Sequence, residues 1–184
     1  MARRGKGRNI SGVLLLNKPK GISSNRALQR VRAMFNASKA GHTGNLDPMA
    51  TGLLPLCFGE ATKFSRYLLD ADKAYRTTAK LGTITDSGDS DGNILETRAV
   101  AEYQKDQIVD IITQFLGDIE QIPPMYSALK HNGKPLYEYA RAGVDIERKV
   151  RHVKIYKIEL LDIRDGEFDL EVYCSKGTYI RTLV

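Results

Sequence analysis

The apolar run Gly12–Leu16 (Gly-Val-Leu-Leu-Leu) predicts a short buried strand, followed by a turn at Asn17-Lys18-Pro19-Lys20-Gly21. Ser23 or Ser24 then caps a helix reaching to about Phe35. Leu28, Val31 and Phe35 share one face of that helix, and Arg26 and Arg30, four apart, share the other. Residues 36–58 lose helical period and carry Gly41, Gly44, Pro48, Gly52 and Pro55, which reads as a long ordered loop. Glu60–Leu69 is expected to be a helix burying Phe64, Tyr67 and Leu68. Ala74–Leu81 alternates as a strand, with Tyr75, Thr77, Ala79 and Leu81 on one face.

Lys105–Leu116 has a helical stripe of Ile108, Ile111, Ile112, Phe115 and Leu116, ended by Gly117. Val153–Ile163 and Glu167–Cys174 form a hairpin across Asp165-Gly166, a favoured two-residue turn. Strands interspersed with helices and followed by a hairpin indicate an α/β or α+β layered domain. At the end, Ile180, Leu183 and Val184 begin an amphipathic turn with no cap, and so short a helix needs outside support. The expectation is that the chain is a fragment of a longer protein.

Charge changes this picture. Residues 1–46 hold ten Lys/Arg and no carboxylate, whereas residues 47–184 hold 18 basic against 22 acidic residues. The net charge of +6 is therefore polarised, which favours a polyanion such as nucleic acid. Residues 1–9 read as a flexible basic arm. Arg3, Arg4, Lys6 and Arg8 either touch RNA phosphates or only solubilise the chain. Pro123–Arg151 interleaves Tyr126, Tyr137 and Tyr139 with Lys130, His131, Lys134, Arg141, Arg148, Lys149 and Arg151. That pattern suits phosphate pairing and base stacking. The alternative is an amphipathic helix around Leu136–Ala142 with a solvated basic face.

Cys57 and Cys174, 117 residues apart, indicate neither a zinc site nor a disulfide framework. They read as buried small hydrophobes in a reducing cytoplasm. No signal core or membrane-span stretch is present. Asp86–Asn93 has the look of a calcium loop. With Gly92 at loop position 6, however, position 12 is Arg98, where a Glu is needed.

The first acid of the chain is Asp47, in Gly41-His42-Thr43-Gly44-Asn45-Leu46-Asp47-Pro48-Met49-Ala50-Thr51-Gly52. A lone carboxylate on a cationic segment points to reaction or organisation rather than phosphate binding. Leu46 can anchor the loop, and His42 lies near enough to reach the same ligand. Such a carboxylate can be nucleophile, base or electrostatic stabiliser, or simply a turn former before Pro.

The segment Gly44-Asn45-Leu46-Asp47-Pro48-Met49-Ala50-Thr51-Gly52-Leu53-Leu54 resembles the signature of the pseudouridine synthases. Gly41-His42-Thr43 is similar to the TruB-type subfamily that acts on uridine 55 in the T-arm of tRNA. Gly12–Gly21 resembles the family's first motif, Asp72-Lys-Ala-Tyr75 its tyrosine motif and Lys176-Gly-Thr-Tyr-Ile-Arg181 its arginine motif. The resemblance implies a catalytic fold with a mixed, largely antiparallel sheet flanked by helices. Residues 10–184 would be a partial catalytic domain with an RNA-binding insertion at about 123–151. The remaining strands and a C-terminal RNA-binding (PUA) domain would be absent.

The same resemblance implies roles. Asp47 would start breaking the C1′–N1 bond, by adding to base or sugar or by assisting proton removal at C2′. Tyr75 would stack on the flipped base and assist proton removal, and Arg181 would pair with Asp47 and keep it ionised. Asp89 and Tyr179 would be supporting residues, Asp89 as a second partner of the arginine. His42 would fill space vacated by the flipped nucleotide. Lys18 would set the turn under the loop or meet RNA, and Lys130 and Arg141 would contact phosphates. It further implies a monomeric cytoplasmic isomerase acting on tRNA without metal or cofactor. A non-catalytic RNA-binding module and a nucleoside hydrolase are the competing readings.

Overall fold

The computed structural model describes residues 7–184. Arg3, Arg4 and Lys6 of the expected arm lie outside the described residues. Contacts divide the chain into two compact units, Met1–Ala71 and Asp72–Val184, each with its own core.

In the first unit, β1 (Gly12–Lys18), α1 (Ser24–Met34), β2 (Ala40–His42) and β3 (Gly52–Phe58) precede a 3-10 turn (Gly59–Phe64) and α2 (Ser65–Asp70). The sheet order is β1-β3-β2, antiparallel throughout. Ser23 caps α1 by accepting the Arg26 N–H at 3.2 Å. Ala27, Leu28, Leu54, Leu56 and Phe58 form the core, and Val31 packs against them. Arg8 is tied by its backbone to Ala37 through an isolated parallel bridge.

Three expectations fail here. The long loop at 36–58 instead contains β2 and the central strand β3. Pro55 is tolerated in β3 because its carbonyl accepts the Thr43 N–H, placing its imide nitrogen on the side where β2 has already ended at His42. β1 is buried on one face only: Leu14, Leu16 and Lys18 turn inward, while Val13 and Leu15 are exposed. Glu60–Leu69 splits into the 3-10 turn and α2, and Phe64, Tyr67 and Leu68 remain exposed. The apolar period there is real, but the described residues give it no surface to cover within this unit.

The second unit runs through β4 (Lys73–Lys80), β5 (Thr83–Thr85), β6 (Ile94–Thr97), α3 (Lys105–Thr113) and β7 (Gly117–Gln121). It continues with β8 (Lys130–His131), β9 (Lys134–Pro135), α4 (Leu136–Arg141), β10 (Arg151–Arg164), β11 (Glu167–Cys174) and α5 (Ile180–Leu183). The main sheet is antiparallel in the order β4-β11-β10-β7. The β10–β11 hairpin closes on Asp165-Gly166, with Arg164 opposite Glu167 and Gly166 at φ 71°. That left-handed position suits glycine.

On β4, Ala79 is buried and Tyr75 packs against a core of Ile108, Ile112, Ile155, Phe168, Leu170 and Val172. Helix α3 is narrower than its sequence stripe: Ile108 and Ile112 are buried, whereas Ile111 and Leu116 are exposed. Strand β7 was not expected, because Gly117 had read only as a helix stop. Cys57 and Cys174 are free and buried, and burial pushes both thiols up. The whole is the mixed, largely antiparallel α+β architecture that the resemblance implied. Among the described residues, no helix is long and apolar enough to cross a membrane.

Candidate functional site

The Asp47 loop is held by its two neighbours. Ser24, 3% exposed at the start of α1, accepts the Leu46 N–H at 2.9 Å and donates its hydroxyl to the Leu46 carbonyl at 3.1 Å. On the other side, the Pro48 carbonyl accepts the Gly21 N–H at 2.7 Å and a longer bond from Lys18 Nζ at 3.4 Å. Gly21 reaches that position at φ 87°. The Asp47 carbonyl accepts the Ala50 N–H, closing a tight turn. Asp47 is thus a half-buried carboxylate on a backbone fixed before and after it.

Lys18 lies beneath this loop and is fully buried. Its ammonium donates to the carbonyls of Pro19 at 3.0 Å and Ile22 at 2.8 Å, in addition to Pro48. An ammonium has three donors, and all three are used within the protein. Of the two roles expected of Lys18, setting the turn or meeting RNA, these bonds match the first. Burial holds its pKa below the usual lysine value, and Asp47 partly offsets that by raising it. His42 closes β2, and its Nδ1 is buried with no hydrogen-bond partner among the described residues.

In the second unit, Arg181 is the hub. Its guanidinium forms an ion pair with Asp89 at 3.2 Å and donates to the carbonyls of Ser87 at 2.8 Å and Tyr126 at 2.7 Å. Both charged side chains are largely buried, so the pair escapes most of the screening that weakens surface ion pairs. Asp89 is oriented in turn, accepting Ser87 Oγ at 2.6 Å and the Asp91 N–H at 3.1 Å. Asp86 closes the same loop onto Asn93 through two bonds. The carboxylates of Asp86 and Asp89 are therefore engaged by protein groups. Among the described residues no cluster suited to a metal ion is present. A cleft of about 370 Å³ opens beside Arg181, lined among others by Ser87, Pro123, Met125 and Arg148.

Tyr179 lies two residues before Arg181. Its N–H donates to Gln121 Oε1 at 3.0 Å, and its carbonyl accepts from Gln121 Nε2 at 3.1 Å. Tyr75 sits on β4 opposite Val172, half-buried against the core.

The basic-aromatic segment has its own local order. Lys130 is exposed on β8, and Arg141 ends α4 with its guanidinium 5.4 Å from the centre of the Tyr137 ring. Lys134 stands 4.8 Å over the Tyr139 ring, whose hydroxyl donates to the His131 carbonyl. Sequence reasoning missed Ser24 as a loop clamp and missed Ser87 and Gln121 altogether; it read Tyr126 as a stacking aromatic and not as the carbonyl that holds Arg181. Ser24 alone carried a usable signal, as a hydroxyl at a helix start.

Residues 32–180 match the sequence profile described as TruB family pseudouridylate synthase (N terminal domain). The chain is 60% identical over 183 residues to the tRNA pseudouridine synthase B of Chromohalobacter salexigens, covering 100% of this chain and 60% of that protein. It is 58% identical over 182 residues to the protein of that name from Tolumonas auensis, covering 99% of this chain and 56% of that protein. The chain thus spans about 60% of the length of these relatives. Among solved structures, a Cbf5-Nop10-Gar1 complex contains a chain that superposes with a TM-score of 0.69 at 29% identity, over 95% of this chain and 42% of that one. An H/ACA RNP bound to a substrate RNA containing 2′-deoxyuridine gives a TM-score of 0.66 at 27% identity, over 94% and 40%.

Proposed function

Because this chain belongs to the TruB family of pseudouridylate synthases, we propose that it carries the catalytic residues of an enzyme converting uridine 55 of the tRNA T-arm to pseudouridine. The observation that carries this reading is the Asp47 loop, clamped at Leu46 by Ser24 and at Pro48 by Gly21 and Lys18. A carboxylate that reacts must be held in place, because small misplacements of reacting groups are costly to rate. A carboxylate that only shapes a turn has no need of clamps on both sides.

In this reading Asp47 opens the C1′–N1 bond, the uracil turns, C1′ bonds to C5, and C5 then gives up its proton while N1 takes one up. Tyr75 stacks on the flipped base, and Arg181 keeps the aspartate ionised, with Asp89, Ser87 and the Tyr126 carbonyl fixing the guanidinium. His42 fills the space vacated by the flipped nucleotide. Lys130 and Arg141 hold phosphates of the T-arm. The base must leave the stack because its glycosidic bond is unreachable inside a folded loop. No metal or organic cofactor is invoked, since breaking and remaking this bond is an isomerisation without net redox change.

The test is to map pseudouridine in an unmodified tRNA transcript after incubation with the full-length protein. Conversion confined to uridine 55 is expected. Tight tRNA binding with no conversion at any uridine would replace this reading with that of a non-catalytic RNA-binding module.

A further inference from the structure

We propose that Gln121 is a positioning residue for Arg181, acting through the backbone of Tyr179; the proposal rests on the functional reading above. Gln121 is the last residue of β7 and is 5% exposed. Its side-chain amide both donates to and accepts from the main chain of Tyr179. The amide thereby mimics a strand partner for one residue, and only one orientation of its oxygen and nitrogen satisfies both bonds. The two residues are 58 apart in sequence, so the clamp is a tertiary feature.

Arg181 is the second residue of α5, whose first turn opens with the Thr182 N–H donating to the Tyr179 carbonyl at 3.1 Å. Tyr179 precedes it in extended conformation, at φ −97° and ψ 104°. The direction in which α5 leaves the core is therefore set at Tyr179, and Gln121 holds both of that residue's peptide groups.

The grip is doubled a few residues later. Tyr126, five positions after Gln121, gives its carbonyl to Arg181 Nη2. The chain leaving β7 thus holds the arginine segment by its backbone at Gln121 and by its guanidinium at Tyr126. Removing Gln121 leaves the Tyr179 N–H to find a new partner and takes one donor from its carbonyl, which keeps the Thr182 N–H; relaxation there carries the guanidinium away from the Ser87 and Tyr126 carbonyls.

The test is turnover of tRNA by the full-length protein, with tRNA affinity measured separately. Gln121→Met, similar in length but without polar atoms, is expected to lower kcat about 10- to 100-fold while the tRNA Kd stays within about twofold. Gln121→Glu keeps the acceptor for the Tyr179 N–H but loses the donor. Its kcat should fall about 3- to 10-fold, between wild type and Gln121→Met, again at unchanged Kd. An unchanged kcat in either variant, or a Kd that rises in step with the loss of kcat, overturns the proposal. If Gln121→Met does not fold, by circular dichroism, Gln121→Glu decides. A wild-type protein without turnover overturns the functional reading itself, and the kinetic role of Gln121 with it.

Discussion

Ser24 and Leu46 exchange two hydrogen bonds through a single hydroxyl, at 2.9 and 3.1 Å, which fixes the residue before Asp47 to the first turn of α1. Gln121 and Tyr179 repeat the device in the second unit, two residues before Arg181. In each case a buried polar side chain serves both peptide groups of a loop residue. Each clamp supplies in one contact what a β-ladder supplies over several.

Replacing Ser24 by Ala leaves the Leu46 N–H and carbonyl without that partner. A stability loss of about 1–3 kcal/mol is expected, read by urea denaturation. A fall in kcat larger than any change in tRNA Kd should accompany it. Full activity in Ser24→Ala would show that the clamp does not position the loop.

Lys18→Met removes the donor from three carbonyls and the cation that lies near Asp47. Destabilisation of roughly 2–4 kcal/mol is expected.

The pH dependence of Lys18 carries a definite sign. Its folded pKa is depressed below 10.5, chiefly by burial, so between the folded pKa and 10.5 the unfolded chain binds more protons than the folded one. Stability from this group therefore rises with pH across that window and is flat below it. The check is the alkaline pH dependence of wild type minus that of Lys18→Met. In Asp47→Asn the window should open at lower pH, because Asp47 raises the lysine's pKa. A difference curve that falls through the window would contradict the assignment.

Gly92 packs so closely that an added Cβ would lie 2.2 Å from Ser87 Oγ and 2.6 Å from Asp86 Oδ1. Gly92→Ala should turn the Ser87 hydroxyl away from Asp89 and loosen the Asp89–Arg181 pair. The expected costs are about 1–3 kcal/mol in stability and a lowered kcat. A thermal melt and a turnover assay on the same preparation check both.

Lys130→Gln/Arg141→Gln removes two cations while retaining polar side chains. Weaker tRNA binding and a salt slope (log K against log [salt]) shallower by roughly 1–2 are expected, as befits two lost phosphate contacts. An unchanged affinity and slope would place those contacts elsewhere.

What could be read beforehand was what depends on nearby residues. The Ser23 cap, the Asp165-Gly166 hairpin and the alternation of β4 all follow from local chemistry. Strand β3 was missed because Gly52 and Pro55 punctuate it, and only the early end of β2 excuses the proline. Phe64, Tyr67 and Leu68 were expected to be buried because they are apolar and periodic, yet burial requires a covering surface, which periodicity does not supply. At the site, Asp47 and Arg181 were identifiable through motif resemblance, and Asp89 proved to lie against Arg181. Gln121 and the carbonyl role of Tyr126 were invisible, since an amide and a backbone carbonyl gain meaning only from partners 55 to 58 residues away.

The most direct measurement is tritium release from C5-labelled uridine in tRNA by the full-length Asp47→Asn variant, with tRNA binding measured on the same preparation. Binding close to that of wild type and no release above background are expected. Release at a rate comparable to wild type would contradict the assignment of Asp47 as the residue that opens the glycosidic bond.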